Sequence, residues 1–426
     1  MTTVSRDLPS RPHLDVPKRE ARDLLKQARV GIPEALDRIR RRHPRFKHTN
    51  ASALAPVEFR LSDAQLVIAR EYGFSQWAAL KQRIDSNTAA QLLLTAIRAD
   101  DRETVIRILQ SNPQLVHIPV RSGNWGPPMS HAANLGRLEI IKAVAQLGAL
   151  DFQHAFDRAV LQGQLECAKW LLEHGAKLAP GIIMGACETL NSLGFCFLDE
   201  LNVPYTAADG NRLAPLALVL ETYCRNPEGK HRILDLFEKR GYALPDSPIM
   251  ALHRGDADRL KHQLQRDPGL LNRRFAGHDI YPSQLGCADG GRAGMHGTPV
   301  EGTTLLHLAI EFDEQEIFDL LLAHGADVNA RGLIDKDGFG GHPPLFSSVM
   351  NMSVACGRQR DALMTRALLA RGASPTLRAT LRKFLDWCET PRWYDARDVT
   401  ASEWGDAFPE RGWVNSEAVR QLYRGR

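Results

Sequence analysis

The stretch Leu305-Leu306-His307-Leu308-Ala309, followed by Gly325-Ala326-Asp327-Val328-Asn329-Ala330, is the feature that most constrains the fold of this chain. Gly302 and Thr304 suit a tight turn and the N-terminal cap of a short helix. Leu306 and Ala309 then face inward. A second helix carries Ile317, Leu320, Leu321 and Leu322 on an apolar face and stops at Gly325, the residue best able to take a left-handed C-terminal conformation. Asp327 and Asn329 turn the chain onward. One such helical pair cannot bury its own apolar stripe, so it requires neighbours of the same kind, and units of this class recur with a period of about 33 residues.

The same offsets do recur. Pro128, Met129, Ala132, Gly136 and Gly148-Ala149 keep them, as do Ala159, Gly163, Leu171-Leu172 and Gly175-Ala176. Fainter copies centre on Ala96 with Val105 and Leu109, on Ala186 with Leu198, on Pro215-Leu216 with Leu236 and Gly241, and on Ala251 with Gly255 and Leu264. A late copy runs from Pro344-Leu345 to Leu368-Leu369 and Gly372-Ala373. Two units end differently, in Asn112-Pro113-Gln114-Leu115-Val116 and Asp267-Pro268-Gly269-Leu270-Leu271, where proline stops the helix. Leu36 and Ile39 before His43-Pro44 echo that ending. The unit resembles the ankyrin repeat, with Leu305 where proline is usual and Asp313 where glycine is. The resemblance implies an all-α solenoid, a stack of helix-turn-helix units with a concave face and a row of loops, that works by binding proteins.

Residues 1–88 read as a separate helical module. Ser62-Asp63 opens an amphipathic helix that Gly73 ends, and Ser75 opens another containing Trp77, Leu80 and Ile84. The run from Asp63 to Lys81 resembles a helical module at the N-terminus of bacterial ankyrin proteins. The solenoid is then expected over 89–375, and 376–426 as a degenerate capping repeat. In that cap Thr400 to Gly405 opens one helix and Asn415-Ser416 caps a last one. Trp387, Trp393, Trp404 and Trp413 are expected to cover the end of the stack.

With 426 residues, 43% of them hydrophobic, the chain can bury a large core. No apolar run approaches the roughly 18 residues of a membrane span, and the first residues carry no hydrophobic signal core. A monomeric cytoplasmic protein is the expectation. Seven cysteines form no C-x-x-C pair and read as reduced, buried thiols. The net charge of +4 is unevenly placed: Arg38, Arg40, Arg41, Arg42, Arg45 and Lys47 crowd one helix. A phosphate-binding stripe over residues 38–47, hence a nucleic-acid adaptor, is the alternative this cluster offers, although no reader motif accompanies it.

The period breaks once. Ala251 and Ala309 stand so far apart that about 25 residues must have been inserted. The segment 273–301 holds Arg273, Arg274, His278, Asp279, Tyr281, Cys287, Asp289, Arg292 and His296 among six glycines. A second glycine-rich loop, 331–342, holds Asp335, Lys336, Asp337, Phe339 and His342. In a stack of this kind both loops rise on the same side, so these residues form the expected partner-binding site, extended by Arg121, Asn124 and Trp125 from an earlier loop. The anchors expected are Trp125, Arg273, Arg274, Tyr281 and Phe339, since arginine and aromatics dominate binding hot spots. An enzyme or a metal or small-ligand site in the same loops is the other alternative. His278, Asp279, Cys287, Asp289 and His296 match no zinc spacing, Asp335-Lys336-Asp337-Gly338 lacks the distal glutamate of a calcium loop, and Gly290 to Gly294 has no lysine-serine or lysine-threonine pair after it. No nucleophile elbow or local cysteine-histidine setting is found, so no catalytic residue, cofactor or metal is assigned. His307, His131 and His253 read as structural.

Overall fold

The computed structural model describes residues 6–9, 13–47, 49, 58–121, 123–288, 296–359, 361–386, 388 and 390–424. The chain divides into two compact units, Met1–Ala155 and Phe156–Arg426.

The first unit is helical. Asp15–Arg29, Pro33–Arg42 and Leu61–Glu71 pack around Leu24, Ile39, Phe46, Phe59, Val67 and Ile68. Asp63 opens the third of these helices by accepting from the Arg60 N–H at 2.8 Å. Trp77–Arg98 is one continuous helix that runs through residue 88, the boundary suggested by the sequence. It is followed by Arg102–Ser111, Pro128–Asn134 and Leu138–Gln146. Part of the basic cluster is tied to its own unit, while Arg41, Arg45 and Lys47 stay exposed. Arg38 holds Glu71 through two bonds of 2.9 and 2.8 Å, Arg40 and Arg41 pair with Asp37, and Arg42 donates to the Arg70 carbonyl.

The second unit is built from helical pairs, among them Ile183–Thr189 with Ser192–Glu200, Ala214–Glu221 with Pro227–Lys239, Pro248–His253 with Ala257–Arg266, and Leu305–Glu311 with Gln315–Ala323. The first helices of neighbouring pairs lie against one another: Ile183–Thr189 on Ala214–Glu221, and Leu305–Glu311 between Pro248–His253 and Pro344–Val349. Helix Gln315–Ala323 buries Ile317, Phe318, Leu321 and Leu322, each contributing about 1.5–3 kcal/mol on leaving water. The repeat is written in the backbone as left-handed residues at matched separations: Gly136 and Gly148 in the first unit, then Gly163 and Gly175, Leu190 and Asn202, Asp313 and Gly325. Each pair closes one helix and re-aims the next. The three proline endings all fold as 3-10 turns, Pro44–Phe46, Pro113–His117 and Pro268–Asn272.

The C-terminal segment departs from an all-α reading. Strands β1 (Arg378–Leu385) and β2 (Arg392–Thr400) form an antiparallel hairpin with a bulge between Ala379 and Leu381. Its inner face is set by alternation: Ala379, Leu381, Lys383 and Leu385 are buried. Thr400 accepts from the Glu403 N–H and opens helix Ala401–Asp406, as its residue type suggests. Asn415 and Ser416 are buried inside the continuous helix Pro409–Arg424 and cap nothing. The tryptophans also separate. Trp404 is fully buried against Phe408, Trp393 is exposed on β2, and Trp387 and the Trp413 side chain lie outside the described residues. Among the described residues no helix is long and apolar enough to cross a membrane.

Candidate functional site

The two inserted loops of the second unit lie side by side. Phe275 donates its N–H to the Thr303 carbonyl at 2.9 Å, and Gly302 donates back to Phe275 at 2.8 Å. Leu333 donates to Gly302 at 2.8 Å, Gly341 to Leu333 at 3.0 Å, and Gly340 to Thr380 on β1 at 2.7 Å. Segments from 275 to β2 thus form a discontinuous ladder of loop fingers. The glycines permit this closeness. A Cβ on Gly340, at φ +118°, would stand 2.1 Å from the Leu333 carbonyl oxygen, and one on Gly302 would stand 2.8 Å from Leu333 Cβ.

Two open grooves flank the ladder. One, of about 710 Å³, is lined by Ile249, Arg266, Leu270, Arg273, Phe275, His278 and Asp279. The other, of about 370 Å³, is lined by Leu333, Ile334, Asp335, Phe339, Leu381, Arg382 and Trp393. Around the second, Leu333, Ile334 and Trp393 are 60%, 66% and 57% exposed, a concentration of apolar surface that marks an interaction site more than scattered exposed residues do. Arg382 stands in its wall. Its guanidinium lies 3.9 Å from the Phe339 ring centre and is fixed by two bonds to Asp395 at 2.8 and 2.9 Å.

Behind the ladder sits a buried polar network. Arg225 reaches Glu311 at 2.8 Å, both side chains shut off from water. Glu311 also accepts from the Gly297 and Thr298 N–H groups at 2.7 and 3.3 Å, and so seats the end of the first inserted loop. Burial alone would raise its carboxyl, but nearby His296 at 3.7 Å and the charge of Arg225 bring it down to about 2. His296 bonds the Tyr281 hydroxyl at 2.9 Å, and the Lys383 ammonium of β1 donates to its carbonyl. Trp404 Nε1 donates to the Thr298 hydroxyl at 3.0 Å. Nearby, Lys230 donates to His253 Nδ1 at 2.6 Å, and burial lowers this lysine to about 7. Perturbed groups of this kind often mark catalysis. Here the void beside Lys230 is only about 10 Å³, too small for a substrate, and the network works as a clasp.

Within the loop-bearing part of the second unit, residues 301–333 match the ankyrin repeat family. This segment is an ankyrin repeat. No curated protein matches the chain. Among solved structures, the human ASB11 ankyrin repeat domain is similar at 17% identity, with a TM-score of 0.26, covering 58% of this chain and 99% of that one. In the ankyrin repeat, Thr304 Oγ1 meets His307 Nδ1 at 2.8 Å while His307 Nε2 meets the His342 carbonyl at 3.0 Å, so this histidine ties its helix to the following loop. Asp313 takes the left-handed conformation glycine would take, at φ 64°, and its carboxylate accepts from Gln359 at 3.0 Å.

The expected site residues divide by burial. Arg273, Arg274, His278, Asp279, Asp335 and Lys336 are exposed beside the ankyrin repeat. Arg273 pairs with Asp267 at 2.6 Å, Arg274 donates to the Arg331 carbonyl at 2.9 Å, and Asp279 caps the short helix Gly277–Ile280. Asp335 accepts from the Asp337 and Phe339 N–H groups at 2.9 and 2.8 Å, so this carboxylate shapes the loop. Tyr281, His296, Phe339 and His342, expected in the partner-binding site with Tyr281 and Phe339 as anchors, are buried and so present little free surface to a partner; Phe339 and His342 still line the second groove. Arg121, Asn124 and Trp125 belong to the first unit, where Arg121 stacks on Trp125 at 4.2 Å and Asn124 meets His154 at 3.0 Å. Asp289, Arg292 and the run Gly290 to Gly294 lie outside the described residues. Among the described residues no three His, Cys, Asp or Glu groups gather as metal ligands. Leu333 and Ile334 escape a sequence reading that favours charged and aromatic loop residues, and Arg382 and Trp393 lie in the hairpin, a segment expected as a capping repeat. The available signal was the adjacent Leu333-Ile334 in an otherwise polar loop.

Proposed function

We propose that the chain is a non-catalytic protein-recognition adaptor, a monomeric cytoplasmic solenoid whose second unit takes an apolar segment of a partner protein across the loop grooves. The observation that carries this reading is the exposed Leu333, Ile334 and Trp393 beside the ankyrin repeat, on a loop tied by backbone bonds to Gly302 and to β1 and on the hairpin next to it. Apolar anchors on a preformed surface limit the ordering cost of binding. Arg273 and Arg382 at the groove walls supply orientation through charge.

The test is a variant that changes the groove without touching the clasp. Leu333→Ser with Ile334→Ser should weaken stoichiometric partner capture by roughly tenfold or more, the usual effect of losing a hot spot, while the melting temperature stays unchanged. Capture equally strong with Leu333→Ser, Ile334→Ser and Trp393→Ala together would refute the site. Removing residues 276–300 is the poorer test, because Tyr281, His296 and Thr298 would leave the core with them.

A further inference from the structure

The positive charge of the chain is concentrated near its start. Residues 1–88 hold 17 lysines and arginines against 10 aspartates and glutamates, whereas the whole chain holds 54 against 50, so the remainder is slightly acidic. Much of the surplus gathers where helix Pro33–Arg42 ends beside the end of helix Leu61–Glu71. The two ends are laced by reciprocal bonds: Arg42 donates to the Arg70 carbonyl at 3.3 Å, and Arg70 to the Arg42 carbonyl at 3.1 Å. Just beyond, the Arg45 N–H is held by His43 Nδ1 at 3.2 Å, and its guanidinium lies 5.1 Å from the Phe46 ring centre. Arg41, Arg45 and Lys47 are exposed. Three carboxylates of these helices are already committed: Asp37 answers Arg40 and Arg41, Asp63 pairs with His43, and Glu71 answers Arg6 and Arg38. The fourth, Glu34, sits in the first turn of its helix, at the far end from Arg42. Among the described residues, Arg45, Lys47 and Arg70 have no carboxylate in ion-pair range.

We propose that this corner binds the phosphate backbone of double-stranded nucleic acid, without regard to base sequence. Cations gathered at one place repel one another until an anion answers them, and guanidiniums steadied by carbonyl and ring contacts are pre-organised forks for phosphate oxygens. The surroundings decide the class of partner. A protein partner calls for an apolar centre, but the exposed large apolar residues of this part of the chain, Val16, Val30, Ile32 and Leu61, lie outside segments 38–47 and 70–77. A single strand calls for exposed rings on which bases stack, but His43 and Phe46, the rings within 38–47, are buried. A duplex offers instead a dense row of phosphates that charge alone can follow. The cations stand at a helix end and the turn after it, not along one helix face, which suits backbone oxygens more than base edges. This site lies in a different unit from the loop grooves and stands without them.

The experiment is titration of the full chain against a fluorescein-labelled DNA duplex of mixed sequence, read by fluorescence anisotropy between about 50 and 200 mM salt. The expected result is an affinity whose logarithm falls linearly with the logarithm of salt, with a slope of about −3 to −4 for about four neutralised phosphates, and equal affinity for an unrelated sequence. Arg45→Ala with Lys47→Ala leaves the helix-end bonds in place. It should weaken binding roughly tenfold or more and bring the slope closer to zero by about 2, with an unchanged melting temperature. Lys261→Ala with Arg366→Ala, which removes the same charge from exposed positions of the second unit, should leave the affinity within about twofold. No binding at the lowest salt, an equal loss from the two double variants, or tighter binding to a single strand than to the duplex would each overturn the assignment. So would polyglutamate or phosphatidylserine vesicles that compete as well as unlabelled duplex, since the corner would then belong to an acidic protein or a membrane surface.

Discussion

Glu311 shows what one residue does in this fold. Its carboxylate answers the Arg225 guanidinium and two loop N–H groups in a site closed to water. Deleting one side of a buried ion pair leaves an uncompensated charge and costs about 3–5 kcal/mol, whereas replacing both partners by apolar groups is often close to neutral. Glu311→Gln is therefore expected to destabilise by about that amount, and Arg225→Met with Glu311→Leu by less, a comparison that urea unfolding reads directly. A double variant as unstable as the single one would mean that the loop N–H groups, and not Arg225, are the partners that matter. The sequence gives no hint of this pair, because it joins the turn inside one helical pair to the end of a much later helix. Asp313 was legible as an anomaly at a glycine position, and its left-handed backbone explains the position while its bond to Gln359 explains the residue.

At the level of elements, the ladder of loop fingers depends on Gly340. Gly340→Ala would force a Cβ onto the Leu333 carbonyl and an L-residue into φ +118°, a strain of order 1–3 kcal/mol. The expected outcome is faster amide exchange confined to residues 331–342, with the helical pairs unaffected; unchanged exchange there would show that the fingers are not mutually dependent. Helical pairs ending in glycine were legible because glycine declares a left-handed turn. The pair closed by Leu190 and Asn202 was visible only through Ala186 and Leu198, since no glycine marks either turn. The hairpin was hidden for a different reason: its alternating inner face carries Lys383 among Ala379, Leu381 and Leu385, so a charge interrupts the period-two pattern. The glycine-rich context of Tyr281, His296, Phe339 and His342 likewise suggested open loops, whereas the glycines there let segments approach and bury those side chains.

Across the whole molecule, burial of weakly basic groups sets the response to pH. His43, His253, His296, His307 and His342 are all pushed below the ordinary histidine range chiefly by burial, and burial also brings Lys230 to about 7 and Lys383 to about 8. For each, the unfolded chain binds more protons than the folded one, so stability rises with pH, through the histidines below about 6.5 and through the lysines above about 7. Glu311 acts in the same direction at lower pH, where its contribution is lost as pH falls toward about 2. Buried Tyr281 and Cys287, raised by burial, oppose the trend only where free thiols and phenols ionise, above about pH 9. Urea midpoints should therefore climb from pH 5 to about 8.5, and Lys230→Met should flatten the climb above pH 7; midpoints that fall over that range would contradict it. Lys383 carries a further consequence. It reaches from the hairpin to the His296 carbonyl while Trp404 reaches to the Thr298 hydroxyl, so the last stretch of chain is a keystone, and a version truncated before residue 376 would leave the inserted loop with an open flank and the His296 carbonyl without its ammonium, although Thr298 keeps its bond to the Phe346 carbonyl at 3.1 Å.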